Sequence, residues 1–166
     1  MSILKVAQLG HPVLRKPARK VTQTELSDSV IQTLIDDMFE TMHEYQGIGL
    51  AAPQVHFGLR LFVAGVDDPE VGVPPVVMVN PEISPVGEAV EDGWEGCLSI
   101  PDIRGVVPRS AAVSVRALDR GQRRHRRVRR EGRHALRRHG VVLHAAATPH
   151  LGVRAVASPP VDGDEG

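Results

Sequence analysis

The sequence has a single cysteine, Cys97, few aromatic residues and no long apolar run. One cysteine excludes a disulfide framework within the chain and is typical of a reducing compartment. The N-terminus has no apolar segment of signal-peptide length, and no stretch reaches the roughly 18 apolar residues of a membrane-spanning helix. We therefore expect a soluble, cytoplasmic protein that has no membrane partner.

The net charge of the whole sequence is zero, but the two parts of the chain have net charges of opposite sign. Residues 1–120 carry 10 Lys and Arg against 16 Asp and Glu, whereas residues 121–166 carry 10 against 4. Hydrophobic residues make up 42% and aromatic residues 3%, so a globular core would have to be aliphatic. The asymmetry predicts a folded domain over residues 1–120 and a basic segment of different character over residues 121–166.

The first part of the chain has the pattern of an α+β fold. Thr22 and Glu25 fit a capping box, and an apolar stripe with i, i+4 spacing follows, which predicts a long helix over residues 25–45 that ends before Gly47 and Gly49. Short apolar runs joined by Pro- and Gly-containing turns predict strands at residues 2–8, 59–63, 75–80 and 111–118. Strands joined by turns favour mainly antiparallel sheets, here packed around the long helix.

The segment from Gly121 onward has little that it could bury. It contains no Ile, Phe, Tyr, Trp, Met, Lys, Asn or Cys, and residues 122–138 hold nine Arg and one acid, Glu131. Such a composition cannot easily offset the entropy lost on ordering the chain. We expect an irregular or disordered basic C-terminal segment.

Residues 47–54, Gly-Ile-Gly-Leu-Ala-Ala-Pro-Gln, form the first motif that could carry chemistry. Glycines on both sides of Ile48 let the backbone approach a ligand closely, and the Gln54 amide can donate to an oxyanion without titrating. Taken alone, the motif fits equally the end of a helix followed by a turn and a buried segment.

Residues 95–101, Glu-Gly-Cys-Leu-Ser-Ile-Pro, form the second. A cysteine thiolate after a glycine can reach into a cleft and is a soft ligand suited to zinc or iron. The alternative for Cys97 is a buried structural cysteine.

The two motifs together resemble the first two signature motifs of the peptide deformylases. Residues 11–15, His-Pro-Val-Leu-Arg, the long helix and Asn80-Pro81 are also similar to that family. The resemblance covers residues 3–120. It implies a hydrolase that removes the N-formyl group from the initiator methionine, so that the partners would be N-formylmethionyl peptides on nascent chains at the ribosome, and not DNA.

The resemblance also implies a site. The family holds a metal, usually Fe²⁺ but also Zn²⁺, Ni²⁺ or Co²⁺, through the cysteine of the second motif and two histidines of a His-Glu-x-x-His helix. Cys97 would be the metal ligand, and Gln54 and the Leu98 N–H would steady the oxyanion. The substrate-binding rims would be Gly47, Ile48 and Gly49 on one side, and Glu95 and Gly96 on the other.

The third motif of the family is absent from the 166 residues. His134, His139 and His144 are five positions apart, which on a regular helix leaves neighbours about 140° apart around the axis. Arginines surround them, and no acid stands where the general base would be. We interpret these histidines as solvated, and we hypothesise a shift of reading frame near Gly121, which translation of the other two frames would test.

Three functions remain open from the sequence. The first is a member of the family with little or no activity because the metal-binding helix is missing. The second is a non-catalytic peptide-binding module whose basic tail contacts RNA or the ribosome, although the tail has no aromatic residues to stack on bases. The third is an active deformylase with a metal site of another kind.

Overall fold

The structure, a computed structural model, describes residues 2–66 and 73–130, which contain two α-helices and seven antiparallel strands. The helices are α1 (Gln23–Ser27) and α2 (Ser29–Glu44), and two 3₁₀ turns lie at Pro12–Arg15 and Ala52–Val55. The strands are β1 (Gly49–Ala51), β2 (Leu61–Val66), β3 (Val73–Pro85), β4 (Val90–Cys97), β5 (Ile100–Ser110), β6 (Ala112–Leu118) and β7 (Arg124–Arg130). The α+β class and the antiparallel pairing are as the sequence predicted.

The long helix is interrupted at Asp28, which corrects the prediction of one helix over residues 25–45. Thr22 begins α1 with the predicted capping box, but Asp28 is extended, with φ −72° and ψ 138°. Its carboxylate accepts a hydrogen bond from the Val30 N–H at 2.8 Å and so begins a second helix. The apolar periodicity continues across the break, and the sequence pattern alone therefore did not reveal it.

A five-stranded sheet, in the order β1-β2-β3-β6-β7, carries apolar residues on both faces. Leu50, Leu61 and Val63 point to the face that packs on α2, where Ile35, Met38 and Met42 are fully buried. Their neighbours in the strands point the other way and belong to a second apolar cluster: Ala51, Phe62, Ala64, Met78, Val115 and Ala117. This alternation places the first motif, which contains β1, at one edge of a sheet that has two apolar faces.

Strands β4 and β5 form a separate two-stranded sheet that the sequence did not predict. The turn between them consists of Leu98 and Ser99, and Cys97 pairs with Ile100. Residues 101–103 have no partner on β4 and form a bulge, in which Asp102 has φ +63°. The hairpin therefore places the second motif at its tip.

The described sheet continues beyond residue 120 with β7. After a turn in which the Asp119 carboxylate accepts from the Arg123 N–H at 2.8 Å, β7 pairs with β6 along its whole length. An antiparallel pair is held by main-chain hydrogen bonds, which require no particular side chain. Residues 131–166 lie outside the described part, so the basic tail stays a prediction there.

The strand predicted at residues 2–8 is not present, and the hydrogen bonds of this segment go to several different parts of the chain. Ala7 donates to the Gln54 carbonyl oxygen at 2.7 Å, and Leu9 donates to that of Ser99 at 2.8 Å. This segment therefore binds both motif segments. Within the described ranges, no helix is long and apolar enough to cross a membrane.

Candidate active site

The structure brings Gln54 of the first motif against Cys97 and Ser99 of the second. The Gln54 Nε2 lies 3.5 Å from the Cys97 Sγ and 3.4 Å from the Ser99 Oγ. These residues are more than forty positions apart in sequence, and only the tertiary fold joins them. The predicted pairing of the two motifs in one site is thus present in the geometry.

The orientation of the Gln54 amide is fixed by the backbone. Its Oε1 accepts a hydrogen bond from the Ala51 N–H at 2.9 Å, so the Nε2 must be the atom that faces the sulfur. Gln54 lies within the 3₁₀ turn Ala52–Val55, and its side chain is buried. A buried amide held at both ends presents a fixed N–H donor to whatever occupies the space beside Cys97.

Ser99 connects the parts of the site. Its hydroxyl lies beside Gln54, its hydroxyl and N–H hydrogen-bond to the Cys97 sulfur, and its carbonyl oxygen accepts from Leu9. The side chain is buried. Ser99 therefore holds the thiol, the amide and the N-terminal segment in one arrangement.

Burial raises the pKa of the Cys97 thiol, and the negative charge of Glu95 adds to that effect. Hydrogen bonds from Ser99 and from the Ile100 N–H act in the opposite direction, because they stabilise a thiolate. Burial is the larger effect, so the thiol is neutral more readily than an exposed cysteine. The donors of Ser99 and Ile100 nevertheless point at the sulfur, in the arrangement that would stabilise a thiolate.

Gly47 makes close packing of the two motifs possible. A Cβ on Gly47 would stand 2.9 Å from Leu98 Cδ1 and 3.3 Å from the Met42 carbonyl oxygen. Leu98 packs against the core that α2 covers. Because Gly47 has no side chain, it leaves room for the Leu98 side chain of the β4–β5 turn. The Leu98 N–H also lies in this turn, outside the strand ladder.

Glu95, predicted on a substrate rim, is buried in an ion pair. Its two carboxylate oxygens accept from the Arg109 Nε and NH2 at 2.9 and 2.8 Å. Arg109 pairs with Glu91, four positions along β4 from Glu95 and on the same face of the hairpin, with Gly93 between them on that face. Because both oxygens are engaged, Glu95 holds the hairpin in shape beside Cys97.

The remaining predicted rim residues occupy backbone positions around the site. Ile48 is half-buried, and its carbonyl oxygen accepts from the Gly65 N–H at 3.1 Å, while Gly49 begins β1 opposite Ala64. Gly96 is exposed and pairs with Arg104 on β5.

The described residues do not fit the metal that the resemblance implies. Cys97 is one suitable donor, but among the side chains that the structure describes, in residues 2–65 and 74–124, no three from His, Cys, Asp or Glu could hold one ion. Glu95 is engaged by Arg109. His11 and His56, both exposed, contact each other edge to face, with ring centroids 4.6 Å apart, at the ends of the two 3₁₀ turns. His134, His139, His144 and His150 lie outside the described residues.

Two residues that organise the site were not predicted from the sequence. Ser99 stands inside the second motif, and its small hydroxyl beside a cysteine was a usable signal. Arg109 was not detectable, because its pairing with Glu95 depends on the register of a hairpin that has no clear apolar alternation.

Comparison with known proteins gives a consistent result. The family model described as Polypeptide deformylase matches residues 3–138, which extends past the described residues. Among curated proteins, the chain is 43% identical over 122 residues to peptide deformylase 2 of Pseudomonas putida, covering 70% of this chain and 68% of that protein. It is 40% identical over 125 residues to peptide deformylase 1 of Prochlorococcus marinus, covering 72% of this chain and 64% of that protein.

Solved structures are similar at the level of the fold and the sequence. The actinonin-bound class I type b peptide deformylase from Acinetobacter baumannii superposes with a TM-score of 0.76 at 33% identity, and the match covers 88% of this chain and 91% of that one. The peptide deformylase from Thermotoga maritima gives a TM-score of 0.71 at 35% identity, covering 79% and 84%.

Proposed function

Because this chain belongs to the polypeptide deformylase family, we propose that its first 130 residues form the formyl-peptide side of a deformylase site and that the chain has little or no deformylase activity. Formylated nascent peptides are the substrates of the family. The observation that carries the proposal is the contact of Gln54 with Cys97 and Ser99, at 3.5 and 3.4 Å. In this proposal the protein binds, in the cytoplasm, N-formylmethionyl chains that leave the ribosome.

The described residues are suited to hold a formyl group. The Gln54 Nε2 is a fixed donor, and the Leu98 N–H is a second donor at the tip of the hairpin; together they would steady negative charge on the formyl oxygen. Gly47, Ile48 and Gly49 would line one side of the peptide, and Gly96 the other. Glu95 would support the second rim through its pair with Arg109.

Loss of turnover follows from the ligands that the sequence does not supply. A site for Fe²⁺, Zn²⁺, Ni²⁺ or Co²⁺ needs its full set of donors for useful affinity, and Cys97 alone gives one. The sequence contains no His-Glu-x-x-His motif. Without it, the chain also lacks the carboxylate that would accept a proton during hydrolysis.

Metal content and deformylation of the full chain test this proposal together. We expect the purified protein, incubated with Fe²⁺, Ni²⁺ or Zn²⁺, to retain no stoichiometric metal and to deformylate a formyl-Met tripeptide no faster than the metal blank. Cys97→Ser is the matched control, because it removes the one donor and should behave like the parent. Stoichiometric metal with turnover that Cys97→Ser abolishes would show an active enzyme instead.

Binding without turnover is the second half of the test. We expect the formyl-Met tripeptide to bind the full chain more tightly than its unformylated counterpart. Gln54→Ala should reduce that preference about tenfold at most, since it removes one hydrogen-bond donor to the formyl oxygen. Equal binding of the two peptides would contradict the proposed formyl site while leaving the fold unaffected.

We also propose that the departure from the family pattern lies after the turn at Asp119–Arg123. That turn is well formed, because Gln122 donates to the Gln23 carbonyl oxygen at 3.2 Å and also bonds the Ser27 hydroxyl. In β7, by contrast, arginines occupy consecutive register positions: Arg126 pairs with Arg116, and Arg127 pairs with Val115. A strand that pairs beside a buried valine ordinarily has apolar and polar residues in alternation. A shifted reading frame explains this, and the other frames should contain the missing motif.

RNA binding is the alternative function, and one observation favours it. β7, the outer strand of the described sheet, has five arginines among its seven residues. Filter binding across a salt series decides the matter: tight binding with a steep salt dependence would support the alternative, because each neutralised phosphate releases a counterion. No retention at low salt would remove it.

A further inference from the structure

Two histidines meet on the surface of the protein, beside the two 3₁₀ turns. His11 precedes the turn Pro12–Arg15, and His56 follows the turn Ala52–Val55, so only the tertiary fold brings them together. Both residues are exposed, and their rings contact each other edge to face with centroids 4.6 Å apart. Neither ring takes part in the proposed formyl site, so the pair is available for a different ligand.

The backbone holds both histidines in place. The His11 N–H donates to the Gln8 carbonyl oxygen at 3.0 Å, and the His56 N–H donates to that of Pro53 at 3.2 Å. His56 has φ +70°, a left-handed conformation in which glycine is the usual residue. Backbone strain of this kind is concentrated at functional sites. Two anchored segments therefore present the two rings to each other.

The spacing of the rings matches that of two imidazoles bound to one metal ion. An imidazole nitrogen binds a divalent metal at about 2.0–2.1 Å, which places the centroids of two adjacent ligands roughly 4.5–5 Å apart. The observed separation is 4.6 Å. Because both residues are exposed, their rings can turn about the side-chain bonds and bring one nitrogen of each to a shared ion.

We propose that His11 and His56 form a surface site for a divalent transition metal such as Zn²⁺, Ni²⁺ or Cu²⁺, separate from the site at Cys97. Neutral imidazole is a ligand that these ions favour. Water would fill the other positions, because no third metal-binding side chain joins the pair among those that the structure describes. Two protein ligands bind more weakly than a full set, so the ion exchanges and is not retained once free metal is removed.

Metal binding would break one hydrogen bond at this site. The His11 Nδ1 accepts from the Val13 N–H at 3.2 Å, so a neutral ring carries its proton on Nε2. A metal on Nε2 would shift that proton to Nδ1, which could then no longer accept, whereas a metal on Nδ1 would displace the Val13 N–H directly. In either case the Val13 amide loses its partner, and its NMR signal therefore reports on binding.

This local signal tests the site even if the histidines of residues 121–166 also bind metal. We expect the Val13 amide signal of the nitrogen-labelled full chain to shift and reach saturation as Zn²⁺ is added at neutral pH. His56→Ala should weaken the apparent affinity about tenfold, because only one imidazole of the pair remains. His43→Ala, an exposed histidine near the end of α2, is the matched control and should titrate like the parent. A Val13 signal that does not respond to Zn²⁺, or that titrates alike in the parent and in His56→Ala, would overturn the proposal.

Cys97→Ser distinguishes this site from the candidate active site. Because the histidine pair does not include Cys97, we expect the Val13 titration with Zn²⁺ to be unchanged in this variant. Loss of the Val13 response in Cys97→Ser would show that the ion binds at the cysteine and would overturn a separate site. The outcome is independent of the formyl-peptide binding test, since that test is made without metal and depends on Gln54.

Discussion

Glu25 makes several contacts at once at the start of α1. Its carboxylate pairs with Arg19 at 2.7 Å and accepts from the Thr22 N–H at 2.9 Å, which closes the capping box. The hydrogen bond from Arg19, followed by those from Thr22, lowers the pKa of Glu25 from its ordinary value of 4.5 to about 2. The ionised form is therefore the one that the fold stabilises.

The pH dependence of stability should show this contact. A carboxyl group whose pKa is lower in the folded state stabilises the fold above its unfolded pKa, and the stabilisation is lost on acidification. We expect the free energy of unfolding to fall between about pH 4.5 and pH 2 by more in the parent than in Glu25→Gln. Chemical denaturation at each pH measures it.

Glu44→Gln, at the exposed end of α2, is the control for a carboxylate outside the capping box. Because the Arg19 pair is exposed, the difference should be small. Identical pH profiles for the parent and Glu25→Gln would show that the contact does not hold in solution.

The β4–β5 hairpin depends on a different kind of ion pair. The Glu95 side chain is 5% exposed and that of Arg109 25%, whereas those of Glu82 and Arg116, which join β3 to β6, are 53% and 68% exposed. Breaking a buried pair leaves one charge without compensation, while an exposed pair contributes little. A Glu–Arg ion pair should therefore contribute more to the free energy of unfolding in the β4–β5 hairpin than in the five-stranded sheet.

Matched substitutions measure that inequality. We expect Arg109→Met to lower the free energy of unfolding by about 3 kcal/mol, and Arg116→Met by less than about 1 kcal/mol. The double variant Glu95→Gln/Arg109→Met should be more stable than Arg109→Met alone, because the uncompensated charge is gone. Equal losses for the two arginines would show that the hairpin pair is solvated.

The elements differ in how far the sequence predicted them. The capping box, β2, β3 and β6 were predictable, because apolar periodicity and turn residues mark them locally. The β4–β5 hairpin was not, since its apolar residues Val90, Trp94 and Val106 face outward and its inner face carries Glu95 and Arg109. The break at Asp28 was hidden because the apolar stripe continues through it. The site motifs were recognisable as strings, but the Ser99 and Arg109 contacts required the tertiary register.

Across the whole molecule, the question is where the folded body ends. Charge composition places the boundary at residue 120, the described sheet ends at Arg130, and the family match ends at residue 138. These limits differ because composition, backbone pairing and sequence similarity respond to different properties. An experiment that measures how accessible the backbone is can decide which of the three limits marks the end of the folded domain.

Limited proteolysis with trypsin suits this purpose, because residues 122–138 contain nine arginines. We expect a resistant core whose C-terminus lies at Arg130, Arg133, Arg137 or Arg138, identified by mass spectrometry of the intact fragment. A core that ends at Arg120 would agree with the boundary predicted from composition and would contradict the pairing of β7 with β6.

The position of β7 at the outside of its sheet has a consequence for the behaviour of this protein in a crowded cell. An open strand edge ordinarily invites another strand to add to it, and this is one route to aggregation. Here the outer strand has five arginines, so two such edges repel each other. The outer strand of the described sheet therefore carries a density of positive charge that opposes the addition of a second, identical strand.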